Sequence, residues 1–319
     1  MGHPRRYFEN KCVYFLTNRL ARGLPLVPCG YINKIIYGIM AKASEQYPDI
    51  TNCHFQWMRN HYHMLIVTNG NPADIAGFMN ILNGEVAKAI VIFLGKRNVK
   101  VWAQRYNCIR LLTPDVVVEK IAYLYLNPVD ANLVDKACRW PGVSSYGIEE
   151  EEIIECEYLR PSKLQRLKNE KITKSIDKEL IKNSKNGKKQ KLVIKPYAWV
   201  ECFEDAESIE SYRIQISCKI KSEEKRLAEI RKYPVMGALE AKPQNPHEGY
   251  LPENKGRRMF CMSSCQEMRK QFIEQYKDFC ERCIIVWRHW KEGQLQYKYP
   301  PGGFLPPIWP LSNTLKFQT

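Results

Sequence analysis

The alternation of apolar and polar positions predicts seven elements before residue 147, in the order strand, helix, strand, strand, helix, strand, helix. Apolar residues that recur at every second position predict strands, and those that recur at every third or fourth position predict helices. The first six elements match a ferredoxin-like arrangement, an α+β fold in which a four-stranded antiparallel sheet carries helices on one side. The predicted strands are 11–20, 52–59, 61–67 and 101–112, and the predicted helices are 31–47, 72–94 and a segment that starts at Thr113.

Proline and glycine mark the ends of these helices. Pro48 stops the first helix, Pro72 occupies the first position of the second, and Gly95 closes it. Thr113 and Pro114 have the residue types of a helix N-terminus. In the second strand, strict alternation places Cys53, Phe55 and Trp57 on one face and His54, Gln56 and Met58 on the other.

The composition changes after Tyr146. Four consecutive acids at 149–152 are followed by a Lys-rich and Arg-rich stretch from 163 to 195, which is typical of a solvated helix or a linker. Further helices are predicted at 219–232 and 264–291, and prolines recur near the end of the sequence. We therefore predict three parts: a catalytic domain at 1–147, a charged linker at 148–195, and a helical extension with a proline-rich tail at 196–319.

The charge narrows the possible partners. The 319 residues include 49 Lys and Arg against 34 Asp and Glu, a formal net charge of +15. Such a balance favours an acidic partner, with nucleic acid first and a membrane surface as the alternative. No run of eighteen apolar residues is present, and the basic N-terminus lacks the apolar core of a signal peptide. We expect a cytoplasmic, nucleoid-associated protein that does not enter the membrane.

The twelve cysteines are scattered, and in such a compartment we expect reduced thiols. Cys261, Cys265, Cys280 and Cys283 have spacings close to those of a zinc site. Cys280 and Cys283 also fall on the apolar side of the last predicted helix, and this position favours ordinary packing. Packing is the preferred interpretation, and a structural zinc remains the alternative.

The segment from Asn60 to Val67 carries the first candidate chemistry. Its strand pattern places His61 and His63 on the same face, side by side, with Tyr62 on the other. Two neighbouring imidazoles on a rigid strand can hold one divalent metal ion. Taken alone, the pattern is equally that of an ordinary packed strand.

A second stretch, from Ile121 to Val129, carries a candidate nucleophile. Tyr123 and Tyr125 lie 200° apart on a helix, so only one can face a site on the sheet, and geometry alone does not choose. Asn127 lies one turn beyond Tyr123, where it either supplies an amide oxygen to a metal or caps the helix before Pro128. Glu119 is the second candidate for a ligand or proton acceptor.

These motifs together resemble the HUH single-tyrosine transposases, in particular the REP-associated tyrosine transposases. The resemblance covers residues 4 to 146 and implies the HUH fold, with Tyr123 as the nucleophile because it stands three residues before Leu-Asn-Pro. It also implies Mg²⁺ or Mn²⁺ held by His61, His63 and Asn127, a 5′-phosphotyrosine intermediate and no nucleotide cofactor. The matching motifs are Asn60-His61-Tyr62-His63, Trp102 to Arg105, Tyr123 to Val129, Trp140-Pro141 and Ser144-Ser145-Tyr146.

The resemblance has two departures. The compact members of the group lack a long C-terminal region, and the stretch from Thr17 to Gly23 matches their Thr-x-Arg-Gly pattern only loosely. The chemistry is unaffected, but the DNA target is left open. Both monomers and homodimers occur in the wider family, and either is compatible with this sequence.

The expected partner is single-stranded DNA in the form of a hairpin. Single-strand binding combines a basic groove with aromatic stacking. Each residue by itself could instead be a solvated charge or a core aromatic. Two other functions stay open: a non-catalytic nucleic-acid-binding module, and a basic structural protein with a zinc-stapled C-terminal unit. The candidate DNA-binding residues are Arg5, Arg6, Lys96, Arg97, Lys100, Trp102 and Arg105.

Overall fold

A computed structural model describes residues 5–21, 26, 28–95, 99–169, 189–238 and 259–303. Within these ranges the protein is α+β, with one seven-stranded sheet and six α-helices. The strands are β1 (Cys12–Arg19), β2 (Ile50–Trp57), β3 (His61–Thr68), β4 (Asn107–Leu111), β5 (Glu152–Glu157), β6 (Lys189–Ile194) and β7 (Cys261–Met262). The helices are α1 (Gly30–Gln46), α2 (Asp74–Leu94), α3 (Pro114–Asp130), α4 (Pro161–Asn169), α5 (Ile209–Ile230) and α6 (Gln266–Lys291).

The strand order in the sheet is β5-β6-β2-β3-β1-β4-β7. The four central strands, β2-β3-β1-β4, are antiparallel and are the four that the sequence pattern predicts. β6 joins β2 in parallel, β5 pairs antiparallel with β6, and β7 joins β4 in parallel. The α+β class is therefore confirmed, but the sheet has seven strands instead of four.

The three additional strands come from segments with weak strand patterns. β5 and β6 lie at the two ends of the stretch predicted as a charged linker, 148–195. Most of their exposed positions carry charges, with Ile153 as an exception, and Lys189 pairs with Glu155 across the two strands. Charged residues are common on edge strands such as β5 because they discourage pairing with other molecules. The charges of β5 and β6 interrupt the apolar alternation by which a strand is predicted. The described ends of this segment belong to the sheet, while the division into three domains stays a prediction.

One face of the sheet packs against α1 and α2. Tyr62, Met64 and Ile66 of β3 point to this face and are fully buried among the apolar stripes of the two helices. By length and composition α2 is apolar enough to cross a membrane. Its stripe, which includes Phe78 and Leu82, is buried against the sheet, as expected for the core helix of a packed domain.

The opposite face packs against α3, and α5 covers α3 in turn. Leu65 and Val67 of β3 share one cluster with Ile121 of α3 and with Tyr212 and Ile216 of α5. Helix α5 begins ten residues before the predicted start of 219–232, where the Ser208 side chain accepts a hydrogen bond from the Ser211 amide. Through α5 the C-terminal extension therefore holds the helix that carries Tyr123.

Strand β2 corrects one assignment of faces. A bulge between Asn52 and His54 shifts the register with β3. Cys53 therefore packs on the α3 side of the sheet, whereas Phe55 and Trp57 pack on the α1 side. The prediction that these three side chains share a face was wrong, because a bulge inserts a residue and reverses the alternation beyond it.

Two further boundaries differ from those predicted. The strand predicted at 101–112 is regular only over β4. Before β4, Trp102 makes a single isolated bridge to Leu20, and the Tyr106 carbonyl accepts a hydrogen bond from the Arg6 side chain. Helix α3 continues through Pro128 to Asp130. Asn127 therefore lies inside the helix and does not cap it.

The C-terminal part of the described chain returns to the N-terminal segment. Tyr7 packs against Phe272 and Phe279 of α6, and the Phe8 amide donates to the Gly302 carbonyl at 2.9 Å. Cys283 is buried in α6. Across the described ranges, no three His, Cys, Asp or Glu side chains are grouped to hold a metal. Cys261, like Cys283, is buried, whereas Cys265 and Cys280 are partly exposed, and the choice between packing and a structural zinc stays a prediction. The proline-rich tail beyond residue 303 lies outside the described residues.

Candidate functional site

Strand β3 presents His61 and His63 side by side on the α3 face of the sheet. Their ring centroids are 4.8 Å apart, and the rings are nearly perpendicular. Phe15, on the neighbouring strand β1, stacks on His63 with the centroids 5.3 Å apart. The strand periodicity and this stacking contact fix the direction of both imidazoles.

Each histidine is held through its Nδ1 atom. Nδ1 of His61 lies 2.6 Å from Oδ1 of Asn60, and Nδ1 of His63 lies 2.9 Å from the hydroxyl of Thr17. Because a carbonyl oxygen can only accept, the His61 contact requires a proton on Nδ1. In this neutral tautomer, Nε2 of His61 carries a free lone pair and can bind a metal.

Helix α3 brings Asn127 to both Nε2 atoms. Its Oδ1 atom lies 3.2 Å from Nε2 of His61, and its Nδ2 atom lies 3.2 Å from Nε2 of His63. The three side chains predicted as metal ligands, His61, His63 and Asn127, therefore converge on one point between β3 and α3.

The surroundings keep both imidazoles neutral. Burial, together with the nearby charge of Arg19, lowers the pKa of His61 to about 4, although the Asn127 contact opposes this shift. Burial, the neighbouring His61 and the charge of Lys120 hold the pKa of His63 well below its usual value. Neutral imidazoles are required for metal ligation.

The site fits a divalent cation. With its proton on Nδ1, His61 directs a lone pair from Nε2 toward the carbonyl oxygen of Asn127, so two acceptors face each other. Two acceptors at this distance repel each other, and a cation bound by both would remove that repulsion. Two imidazole nitrogens and one amide oxygen suit Mn²⁺, and Mg²⁺ with water and phosphate oxygens completing its shell. These three residues are the ones that would hold it.

Tyr123 stands at the edge of this site. Its ring centroid lies 5.3 Å from that of His63 and 6.4 Å from that of Phe15, and its side chain is 48% exposed. The Lys120 ammonium, one turn earlier on α3, lies 5.0 Å from the Tyr123 ring. A half-exposed phenol beside two neutral imidazoles and a cation is accessible to a phosphodiester.

Tyr125 occupies the other side of α3 and belongs to the core. It is 4% exposed, and its hydroxyl lies 2.7 Å from Nδ1 of His54 and 2.9 Å from the hydroxyl of Ser145. Burial raises the pKa of Tyr125 above its usual value. The structure thus separates the two tyrosines that periodicity left as alternatives, with Tyr123 at the site and Tyr125 inside.

Glu119, the second candidate ligand, is directed elsewhere. Its carboxylate forms an exposed ion pair with Lys219 of α5 at 3.3 Å. The described contacts therefore favour Asn127 over Glu119 as the third member of the site.

The predicted DNA-binding residues form a separate group. Arg5, Arg6, Trp102 and Arg105 line one cavity on the opposite face of the sheet from the histidine pair. Lys100 is exposed and close in sequence to this cavity without lining it. Lys96 and Arg97 lie outside the described residues.

Several residues at the site were not identified from sequence. Thr17 and Phe15 contact His63 from β1, and Lys120 approaches Tyr123 from α3. The pairing of β1 with β3 would have identified Thr17, because Thr17 lies directly opposite His63 in it. Asn60 carries a local signal, because it directly precedes His61 in the sequence.

No protein-family model matches this sequence, and no curated protein matches it. A solved structure of a REP-associated tyrosine transposase bound to a REP hairpin is 17% identical, with a TM-score of 0.40, over 47% of this chain and 85% of that chain. A candidate transposase from Deinococcus radiodurans R1 is 16% identical, with a TM-score of 0.28, over 39% of this chain and 95% of that chain. Both are distant likenesses.

Proposed function

We propose that this protein is a metal-dependent enzyme that cuts and rejoins single-stranded DNA through a covalent tyrosine intermediate. The observation that carries the proposal is the convergence of His61, His63 and Asn127 beside the half-exposed Tyr123. A protein that only binds nucleic acid needs no such arrangement. The net charge of +15 is in keeping with a DNA substrate.

The chemistry follows from the positions of these side chains. Tyr123 Oη attacks the scissile phosphorus, a new P–O bond forms to the tyrosine, and the bond from phosphorus to the 3′ oxygen breaks. The phenolic proton passes to solvent, which reaches the half-exposed ring, and the departing 3′ oxygen takes a proton from water. The products are a 5′-phosphotyrosine and a free 3′-OH. Attack by another 3′-OH reverses the step and joins DNA.

The remaining residues position and stabilise the reacting groups. Asn60 and Thr17 hold the two imidazoles in place. The Lys120 ammonium lies near the Tyr123 ring, where it would stabilise the negative charge that develops on the phosphate in the transition state. A bound Mg²⁺ or Mn²⁺ would polarise the phosphate and offset that charge. The energy of the broken phosphodiester is retained in the tyrosine link, so we propose that no nucleotide cofactor is used.

The test is covalent capture on labelled single-stranded DNA. Hairpins from the flanks of the gene, and a randomised single-strand library, are incubated with Mn²⁺ and separated on a denaturing gel. We expect a protein-linked band for the wild type, and its loss in Tyr123→Phe and His61→Ala. Tyr146→Phe is the matched control, since Tyr146 is also exposed but lies outside the site. If both pools bind yet give no linked band, the protein is a binding module and the proposal is wrong.

A further inference from the structure

We propose that the N-terminal segment and the C-terminal extension together form a second nucleic-acid site, which holds an unpaired base of the DNA strand. This inference rests on the proposed function, because that function supplies the single-stranded DNA. The site is a cavity of about 670 Å³, a size within the range of ligand pockets. Its basic and aromatic lining residues include Arg5, Arg6, Trp102, Arg105, Tyr106 and Tyr299, and residues of α2 form another part of its wall.

The cavity is assembled from distant parts of the chain. The Tyr276 hydroxyl, on α6, donates to the Arg5 carbonyl at 2.7 Å, and the Arg5 guanidinium donates to the Tyr299 hydroxyl at 2.6 Å. The strand β7 also extends the sheet beyond β4. Without the C-terminal extension this wall of the cavity would be missing, which gives the extension a direct role in binding.

The charges in the cavity favour an anionic ligand. Arg5, Arg6 and Arg105 have no carboxylate within ion-pair distance among the residues that the structure describes. Arg6 is largely withdrawn from solvent, where its guanidinium lies 3.3 Å from the centroid of the Tyr106 ring. A partly buried cation without a counter-charge is destabilising, so a phosphate of the bound strand would be stabilising here.

The aromatic residues favour a base beside that phosphate. Trp102 is fixed, because its indole N–H donates to the Asn83 carbonyl at 2.9 Å and its ring meets Tyr62 edge to face. The hydroxyl of Tyr106 is buried and has no hydrogen-bond partner within the described part of the chain. An unpaired base offers both a flat face for stacking and an edge with donors and acceptors, whereas a paired base does not.

The position of the cavity suits a strand that also reaches the candidate active site. Tyr62 lies against Trp102 and stands between the two metal-ligand histidines on β3, but it points to the opposite face. Trp102 bridges to Leu20, the residue after β1, and Arg19 at the end of β1 pairs with His61, so the cavity and the histidine pair lie near the same end of the sheet. A single strand passing over this end of the sheet could place one phosphate at Tyr123 and a nearby base in the cavity.

The test measures binding without cleavage, in the full-length Tyr123→Phe protein. The probe is a single-stranded oligonucleotide with one 2-aminopurine, whose fluorescence is quenched when the base stacks on an aromatic ring. We expect quenching at one position of the strand, and none with the same base in a duplex. Trp102→Ala should abolish the quenching and raise Kd roughly five- to 150-fold, while Trp102→Phe retains most of the affinity.

Two exposed arginines give a matched comparison in which neither substitution removes a buried side chain, so both variants are expected to fold. Arg105→Ala should weaken binding several-fold, whereas Arg288→Ala, which removes the same charge from α6 outside the cavity, should weaken it much less. Equal losses in the two variants, or unchanged quenching in Trp102→Ala, would overturn the proposal.

The outcome separates this inference from the proposed function. If the wild type gives the covalent band while all cavity variants bind normally, only the second site is refuted. If the quenching pattern appears but no covalent band forms on the same oligonucleotide, the cavity is supported and the enzymatic proposal fails.

Discussion

The two faces of strand β3 differ in role: one packs in the core, and the other carries the histidine pair. On one face, Tyr62, Met64 and Ile66 are buried in the core formed with α1 and α2. On the other face, His63 is buried and His61 is partly buried, and their Nε2 atoms meet the amide of Asn127. Because the side-chain period is two, one rigid strand can hold a polar site at fixed geometry while its alternate positions supply stability.

Truncations on the two faces should separate stability from chemistry. Met64 and Leu65 are both fully buried, but Leu65 packs toward α3 and Met64 toward α1 and α2. We expect Met64→Ala and Leu65→Ala each to lower the free energy of unfolding by about 2–5 kcal/mol, measured by urea denaturation. Only Leu65→Ala should also slow covalent-complex formation at a temperature where both are folded, since it loosens the support of Tyr123. Equal slowing by both would argue against a functional division between the faces.

Metal binding should stabilise the face that carries the histidines. Mn²⁺ at 100 times its Kd should raise the free energy of unfolding by about 2.7 kcal/mol, if the unfolded chain does not bind it. The measurement is thermal or urea unfolding with and without Mn²⁺, together with direct titration by calorimetry. His61→Ala should remove the effect, whereas His54→Gln, a change at a buried histidine outside the site, should keep it. Stabilisation that survives in His61→Ala would place the metal elsewhere.

The buried histidines also predict how stability depends on pH. Burial lowers the pKa of His54 from 6.5 to about 3, so below pH 6.5 the unfolded chain takes up a proton that the folded protein does not. Stability should therefore fall as the pH drops through this window, by up to about 1.4 kcal/mol per pH unit for this residue. His54→Gln should flatten the dependence of the unfolding free energy between pH 6.5 and 4, relative to wild type. An unchanged slope would show that His54 is protonated in the fold.

Local periodicity accounts for much of this molecule. It predicted the four central strands and the direction of His61 and His63, because each depends on residues close in sequence. It could not distinguish Tyr123 from Tyr125, since that choice depends on which side of α3 meets the sheet.

Long-range features escaped the sequence for the same reason. The bulge at Cys53 is visible only in the pairing of β2 with β3. The cavity beside Trp102 needs Tyr299, which lies almost two hundred residues later in the chain. Periodicity carries no information about contacts across such separations.

The smallest expected effect is that of Glu119→Gln. This substitution tests whether Glu119 is a metal ligand or only the ion-pair partner of Lys219. Its carboxylate pairs with Lys219 at 3.3 Å, and both side chains are about half exposed. An exposed pair of this kind contributes about 0.2–1 kcal/mol, so Glu119→Gln should lower the free energy of unfolding by no more than that. We expect Mn²⁺ affinity and covalent-complex formation to stay at wild-type levels, whereas Asn127→Ala should weaken Mn²⁺ binding. The opposite result, with affinity lost in Glu119→Gln and kept in Asn127→Ala, would mean that α3 turns on binding metal and that Asn127 occupies the site only in its absence.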